Sequence, residues 1–272
     1  MRDHQLPVRW ACQIVKLSRA AYYRQPQCAA ARDADVIEAL NEIVTKRSGW
    51  GFWKCFARLR LEGRAWNHKR VHRVYCAMRL NLPRRTKKRL PTRIVCPLQA
   101  PATHNRIWAV DFMHDALYSG RKFRTFNVID ESNREALAIE VGTSIPSARV
   151  VRVLDRVIEL YGQPHALRLD NGPEFIASSF VEWCRERGIT LLYIAPGKPD
   201  QNAFIERFNR TYRNEVLDQY LFSTVEQVQL LTEEWLGIYN SERPHDSLGQ
   251  VPPLTYLPRE ISARSSSYEL ST

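Results

Sequence analysis

From about residue 104 the apolar residues of this chain change period, and that change limits its architecture more than any other feature. "RIWAVDFMH" (106–114) reads as a strand, and "KFRTFNVIDESNREALAIEVG" (122–142) as two strands around a polar turn. "PSARVVRVLDRVIELYG" (146–162) is helical, with Pro146 near its start. "HALRLDNG" (165–172) is a short strand and turn. "PEFIASSFVEWCRERG" (173–188) reads as one helix, entered at Pro173 and left at Gly188. "ITLLYIAPG" (189–197) is a further strand, and "PDQNAFIERFNR" (199–210) opens the next helix. Strands followed by alternating helix and strand predict an α/β domain built on a mixed sheet.

The residues before this domain have a different texture. Residues 8–25 read as helix, turn, helix, with Ser18 able to cap the second. Val36, Ile37, Leu40, Ile43 and Val44 recur at helical spacing after Asp33, and "SGWG" (48–51) ends that run. A further helix is expected from Phe52 to near Gly63, and another, capped by Asn67, through Met78. "PRRTKKRLPTR" (83–93) then holds two prolines and six basic residues and reads as an extended linker. It is either a solvated tether or a contact for nucleic-acid phosphates. The expected organisation is a helical lead-in (1–30), a helical domain (31–82), a basic linker (83–103), an α/β core (104–257) and a tail (258–272).

Charge divides the chain the same way. Residues 1–100 hold 22 Lys and Arg against 6 Asp and Glu, a net of +16; residues 101–272 hold 18 against 23, a net of −5. A basic front joined to a carboxylate-bearing back suits an enzyme acting on nucleic acid better than a simple binding module. No run of about 18 apolar residues is present, so no membrane span is expected. The N-terminus lacks an apolar signal core, which points to the cytoplasm. The six cysteines form no C-x-x-C pair, against a zinc ribbon or redox motif. His68, His72 and Cys76 share a helical face; as a zinc site they would need Cys96, and a mixed polar face is the plainer alternative.

Three acids stand out by position. Asp111 lies within the first core strand, Asp170 at the end of a later strand before Asn171-Gly172, and Glu206 on the helix after the last strand. Sites gather at strand ends in open α/β sheets. In-line cleavage of a phosphodiester needs an activated oxygen nucleophile and a stabilised leaving oxygen. Two divalent ions about 4 Å apart provide both. Hard ions such as magnesium take carboxylate oxygens. Singly, each acid has an ordinary alternative: Asp170 is a good turn former, and Glu206 could pair with Arg210 one turn on. Asp115 and Asp130 compete as acids of the same domain, the latter assigned to the hairpin turn. Around Glu206, Gln201, Ile205, Phe208, Tyr212 and Val216 form one stripe. Asn202, Glu206, Asn209, Arg210 and Arg213 form the opposite one, which suits a phosphate backbone.

Asp170 and Glu206 are separated by 35 residues (206 − 170 − 1). With Asp111 upstream, this resembles the D,D-35-E signature of retroviral integrases and many bacterial transposases. "IWAVDF", "LRLDNGPEF" and "GKPDQNAFIERFNRTYRNEVLD" look like the phrases around its three acids. "YNSERPHDSLGQVPP" (239–253) is similar to the closing segment of the second-frame (OrfB) products of the insertion-sequence three family. The likeness covers nearly the whole chain. It implies a ribonuclease-H-like core with Asp111, Asp170 and Glu206 as catalytic metal ligands for two magnesium ions, with manganese able to substitute. Asn171, Gly172, Gln201, Asn202 and Arg210 are implied as neighbours. The expected DNA contacts are Arg84, Arg85, Lys87, Lys88 and Arg89 in the linker, with Lys198, Asn202, Arg210 and Arg213 around the glutamate helix. His245 is expected to be structural rather than an acid–base group.

The resemblance implies a transposase that nicks transposon ends and transfers the freed 3′-hydroxyl to another phosphodiester. It would work as an oligomer on DNA in the bacterial cytoplasm, associated with the nucleoid. Full-length members begin with an end-recognition helix-turn-helix and a zipper-like segment from an upstream frame. This chain has no sustained heptads and reads as the catalytic half, so the upstream-frame product is an expected fused or separate partner. A DNA-binding regulator with an inert core, and a ribonuclease-H-like hydrolase without strand transfer, are the alternatives.

Overall fold

The computed structural model describes residues 7–23, 29–82, 99–195 and 199–259. The linker residues 84–89, Cys96 and Lys198 lie outside these.

The front of the chain is helical. α1 (Val8–Ile14) and α2 (Arg19–Tyr23) form the lead-in, and the Ser18 hydroxyl accepts the Ala21 N–H at 3.1 Å. α3 (Ala29–Arg32) leads into α4 (Ala34–Lys46), followed by α5 (Phe52–Leu61) and α6 (His68–Ala77). Asn67 caps α6 by accepting the Lys69 N–H at 2.8 Å. The apolar stripe of α4 packs on α5 and α6 through Leu40, Cys55, Leu59, Val71 and Tyr75, all buried. Asp33 ties the group together from below: it accepts from Arg70 at 3.0 Å and Arg73 at 2.7 Å, and both hold its carboxyl below the ordinary range.

The core is a five-stranded sheet in the order β3-β2-β1-β4-β5. β1 (Ile107–Ala116), β2 (Lys122–Asp130) and β3 (Ala136–Gly142) form an antiparallel meander. β4 (Ala166–Leu169) and β5 (Thr190–Tyr193) add on in parallel to β1 through helical crossovers. Alternation along β1 sends Trp108 and Val110 to one face and Ala109 and Met113 to the other. The first face is covered by α7 (Ser147–Tyr161), α8 (Pro173–Ile176) and α9 (Ser178–Glu186). The second is covered by α10 (Ala203–Tyr212) and α11 (Val225–Ser241), and α12 (Pro253–Tyr256) closes the chain against α11.

The expected single helix over 173–188 is in fact two. Ala177 is extended (φ −57°, ψ 131°) and breaks it. Phe175 and Phe180 are five apart, which on a continuous helix sets them about 140° apart around the axis. The break lets both bury completely, with ring centroids 5.6 Å apart. Gly188, at φ +66°, ends α9 as its sequence suggested. α10 begins after a 3-10 turn, Pro199–Asn202, and runs into a wide π turn, Arg213–Leu217. That turn lets the adjacent Val216 and Leu217 both bury.

Asp130, expected in the hairpin turn, ends β2 and is fully buried. It accepts from the Asn105 N–H, from Ser132 and, at 2.7 Å, from Arg259. Arg259 also holds buried Glu135 at 2.6 Å, so the chain beyond α12 is clamped to the sheet. The helical front touches the core through an Arg58–Glu242 ion pair at 3.6 Å and along a cleft between residues 45–50 and the π turn and α11. Among the described residues no helix is long and apolar enough to cross a membrane.

Candidate active site

β1 carries Asp111 on the face that packs against α10. The parallel register pairs Ala109 with Arg168, and Asp170 follows the last residue of β4, near enough for its charge to be felt at Asp111. Glu206 comes from the first turn of α10, and Asn209, three residues on, shares its flank of the helix. The Asn209 side-chain amide donates to Asp111 Oδ2 at 2.7 Å, which fixes α10 over β1 less than one helical turn from Glu206. The negative charges of Asp170 and Glu206 are both felt at Asp111, so acids from three separate elements approach one end of the sheet without closing on one another.

Electrostatics reflects that approach. Burial, foremost, pushes the Asp111 carboxyl up to about 6. The Phe112 N–H, donating at 2.8 Å, and the Asn209 amide oppose that shift, while the negative charges of Asp170 and Glu206 add to it. Asp170 folds back on its own turn, accepting the Gly172 N–H at 2.9 Å. A Cβ at Gly172 would lie 2.9 Å from Asp170 Oδ1, so only glycine fits this turn without displacing the carboxylate. Asn171 donates to the Ile194 carbonyl at 3.2 Å and anchors the turn to the chain beyond β5. Gln201 accepts the Ala195 N–H at 2.9 Å and closes the loop that leads to α10.

Asn127 and Asn209 are site residues that the sequence reading did not single out as such. Asn127 lies opposite Asp111 in the β1–β2 ladder, is fully buried, and donates to Asn209 Oδ1 at 2.7 Å. That contact turns the Asn209 amide so that its NH2 points at Asp111. The signal was present: an amide inside "TFNVID", at a core position of a strand, must find a buried partner.

The expected DNA contacts divide. Arg210 is exposed on α10 beside Glu206. Arg213 is not open for DNA as expected: it pairs with Asp115 at 2.9 Å and donates to the His114 carbonyl at 2.9 Å, because the π turn carries it back over the end of β1. Asn202 is also a correction. It is buried, since it sits in the 3-10 turn, where three residues rather than 3.6 complete a circuit and the helical projection fails. Asn209, expected on the outer polar stripe, is buried against the sheet.

His245 is 8% exposed and packs edge-on to Tyr239, with ring centroids 4.6 Å apart. Burial, helped by the Arg243 charge, pushes its pKa down to about 3, so the ring is neutral. His72 and Cys76 lie 3.7 Å apart on α6.

Among the described residues no three acidic, histidine or cysteine side chains are already drawn together as a closed cation cage. The donor set at the end of β1 nonetheless suits a hard divalent cation. It consists of carboxylates alone, and their mutual repulsion, felt at Asp111, is relieved by positive charge.

The meander extended by parallel strands, with acids at its edge, defines an integrase-type catalytic core of the ribonuclease-H-like class. An integrase core domain profile matches residues 101–199, and a second integrase core domain profile matches residues 187–253. The chain is 36% identical over 257 residues to the insertion element IS476 uncharacterized 39.2 kDa protein of Xanthomonas euvesicatoria, covering 94% of this chain and 74% of that one. It is 36% identical over 248 residues to the insertion element IS407 uncharacterized 31.7 kDa protein of Burkholderia multivorans, covering 90% and 88%. It is 25% identical over 262 residues to a putative transposase for insertion sequence element IS986/IS6110 of Mycobacterium tuberculosis, covering 88% and 94%. In fold it is similar to a chain of the simian T-cell lymphotropic virus intasome complex, with TM-score 0.52 and 16% identity over 79% of this chain and 76% of that one. The chain belongs to the integrase-core family of insertion-sequence transposases, enzymes of the polynucleotidyl transferase type.

Proposed function

We propose that Asp111, Asp170 and Glu206 hold two magnesium ions, replaceable by manganese, and that the chain nicks the ends of its insertion element and joins the freed 3′-hydroxyl to target DNA. The observation that carries this reading is the Asn209–Asp111 contact, which locks the Glu206 helix over the strand whose neighbour bears Asp170. Divalent ions bound there supply an activated oxygen nucleophile and offset charge on the leaving oxygen.

The chain's own residues do the positioning. Asn209, oriented by Asn127, keeps Asp111 turned toward the open end of the sheet. Gly172 keeps the Asp170 turn tight, since a Cβ there would meet Asp170 Oδ1. Arg210 faces solvent one turn beyond Glu206 and can take a backbone phosphate, so the scissile bond is held beside the acids. Bringing two element ends together requires at least two copies on DNA. Such a complex sits on the bacterial nucleoid, with the upstream-frame product as the partner that recognises the ends.

The test supplies duplexes that carry the element's own ends, one set uncut and one already cut to a free 3′-hydroxyl, together with target DNA and magnesium. The wild-type chain should join them. Glu206→Gln should bind the ends with unchanged affinity yet neither nick nor join. Normal joining by Glu206→Gln would reject the assignment, and cleavage without any joining would replace transfer by simple hydrolysis.

A further inference from the structure

α10 has a second working flank. On the side away from Glu206 it walls a cavity of about 380 Å³ between the helical front and the core. Four cations line it: Lys54 from α5, Arg134 from the turn between β2 and β3, Arg207 from α10, and Arg243 beyond α11. Only Arg243 is fully answered, by Glu215 through contacts of 2.9–3.0 Å. Arg207 has a single weak ion pair, with Asp246 on the rim at 3.9 Å. Lys54 makes no ion pair among the described residues. Burial, then the Arg243 charge, pull its pKa down to about 8.

Arg134 is the most unusual of the four. Its guanidinium lies on the face of Phe204, 3.4 Å from the ring centroid, and its Nη1 is buried with no hydrogen-bond partner among the described residues. Its backbone stands at φ +64°, where glycine or asparagine is the usual occupant. Holding a long cation there costs backbone energy, and such outliers are kept where the side chain has a task. His245 on the same wall also has an unpartnered ring nitrogen, Nε2.

Glu215 and Asp246 act on this group, and Glu131 acts on Arg134, but the cations lining the cavity outnumber the one carboxylate that lines it, and an anion seated among them would offset the excess. The cavity is large enough for a tetrahedral oxyanion with water around it, and guanidinium groups match phosphate oxygens in geometry. We propose that this cavity is a binding site for a phosphate group, gripped jointly by the helical front and the core. A DNA backbone or a small phosphate ester can supply it. The site goes beyond the proposed chemistry, for it contains none of the three carboxylates.

The test uses the full chain in excess chelator, so that no divalent ion contributes. In the first arm, duplex DNA is titrated into wild type, Lys54→Gln, Arg207→Gln and the double variant, across a salt series. Arg152→Gln, exposed on α7 away from the cavity, is the control. The double variant should bind about tenfold more weakly, and its log–log salt slope should fall by about two, while the control matches wild type. In the second arm, millimolar inorganic phosphate should raise the melting temperature of wild type but not of Lys54→Gln. A response in the DNA arm identifies a backbone phosphate, and a response in the phosphate arm alone identifies a small ester. Unchanged DNA binding and salt slope, together with no phosphate-dependent stabilisation, would overturn the proposal. The Arg207 side chain is 70% exposed, so Arg207→Gln reads out even if Lys54→Gln folds poorly. With metal excluded, failure here leaves the Glu206 reading standing, and failure of that reading leaves this one.

Discussion

At the residue scale, Asp111 depends on two amides that do no chemistry. Asn127 holds Asn209, and Asn209 holds Asp111, through contacts of 2.7 Å each. Partners of this kind are worth about 10–100-fold in metal affinity or activity when removed. Asn209→Leu should therefore lower magnesium-dependent nicking by roughly that factor with DNA affinity unchanged, and Asn127→Leu should do the same through it. Gel assays of nicking beside binding titrations separate the two effects; equal loss of binding would make the pair merely structural. These amides were legible only in part. An asparagine inside an apolar strand announces a buried partner, but nothing in the local sequence says that the partner is 82 positions away.

His245 makes a second residue-scale prediction. Its folded pKa, about 3, lies below the ordinary 6.5, so the unfolded chain takes up a proton first as pH falls. Stability from this site is complete above about pH 6.5 and declines as pH drops toward 3. The slope is at most about 1.4 kcal/mol per pH unit. Between pH 6.5 and 5 the wild type should lose about 1.5 kcal/mol more than His245→Gln, measured by urea unfolding. Parallel curves for the two proteins would show that the ring is not held neutral by burial.

At the element scale, the helices and strands of the core follow from period and punctuation. Proline entries, glycine exits and the switch from alternation to helical spacing all appear in the structure. Two departures share one cause: tertiary packing overrides local pattern. The helix over 173–188 breaks at Ala177 so that two phenylalanines can reach one core. The 3-10 and π turns flanking α10 rotate Asn202 inward and Arg213 onto Asp115. The tail clamp was illegible, because Arg259 meets Asp130 and Glu135 only after the sheet has formed. Arg259→Ala strands two buried carboxylates and should cost about 3–5 kcal/mol. Calorimetry would check this; a loss under about 1 kcal/mol would mean that Asn105 and Ser132 suffice for Asp130.

At the scale of the whole molecule, a basic helical front and a carboxylate-edged sheet pack into one body joined across α5, α10 and the segment after α11. The three acids could be singled out as candidates from spacing: Asp170 follows the end of β4 and Glu206 opens α10, while Asp111 lies inside β1 and is marked only by its place upstream of the 35-residue interval. Their approach to one another could not, since it depends on strand order and on which face of α10 meets the sheet. The direct measurement is anomalous diffraction from crystals of the full chain grown with saturating manganese. The expected result is manganese bounded by the carboxylates of Asp111, Asp170 and Glu206, with occupancy reduced in Glu206→Gln. Manganese bound elsewhere, or those three side chains remaining apart from it at saturation, would contradict the account.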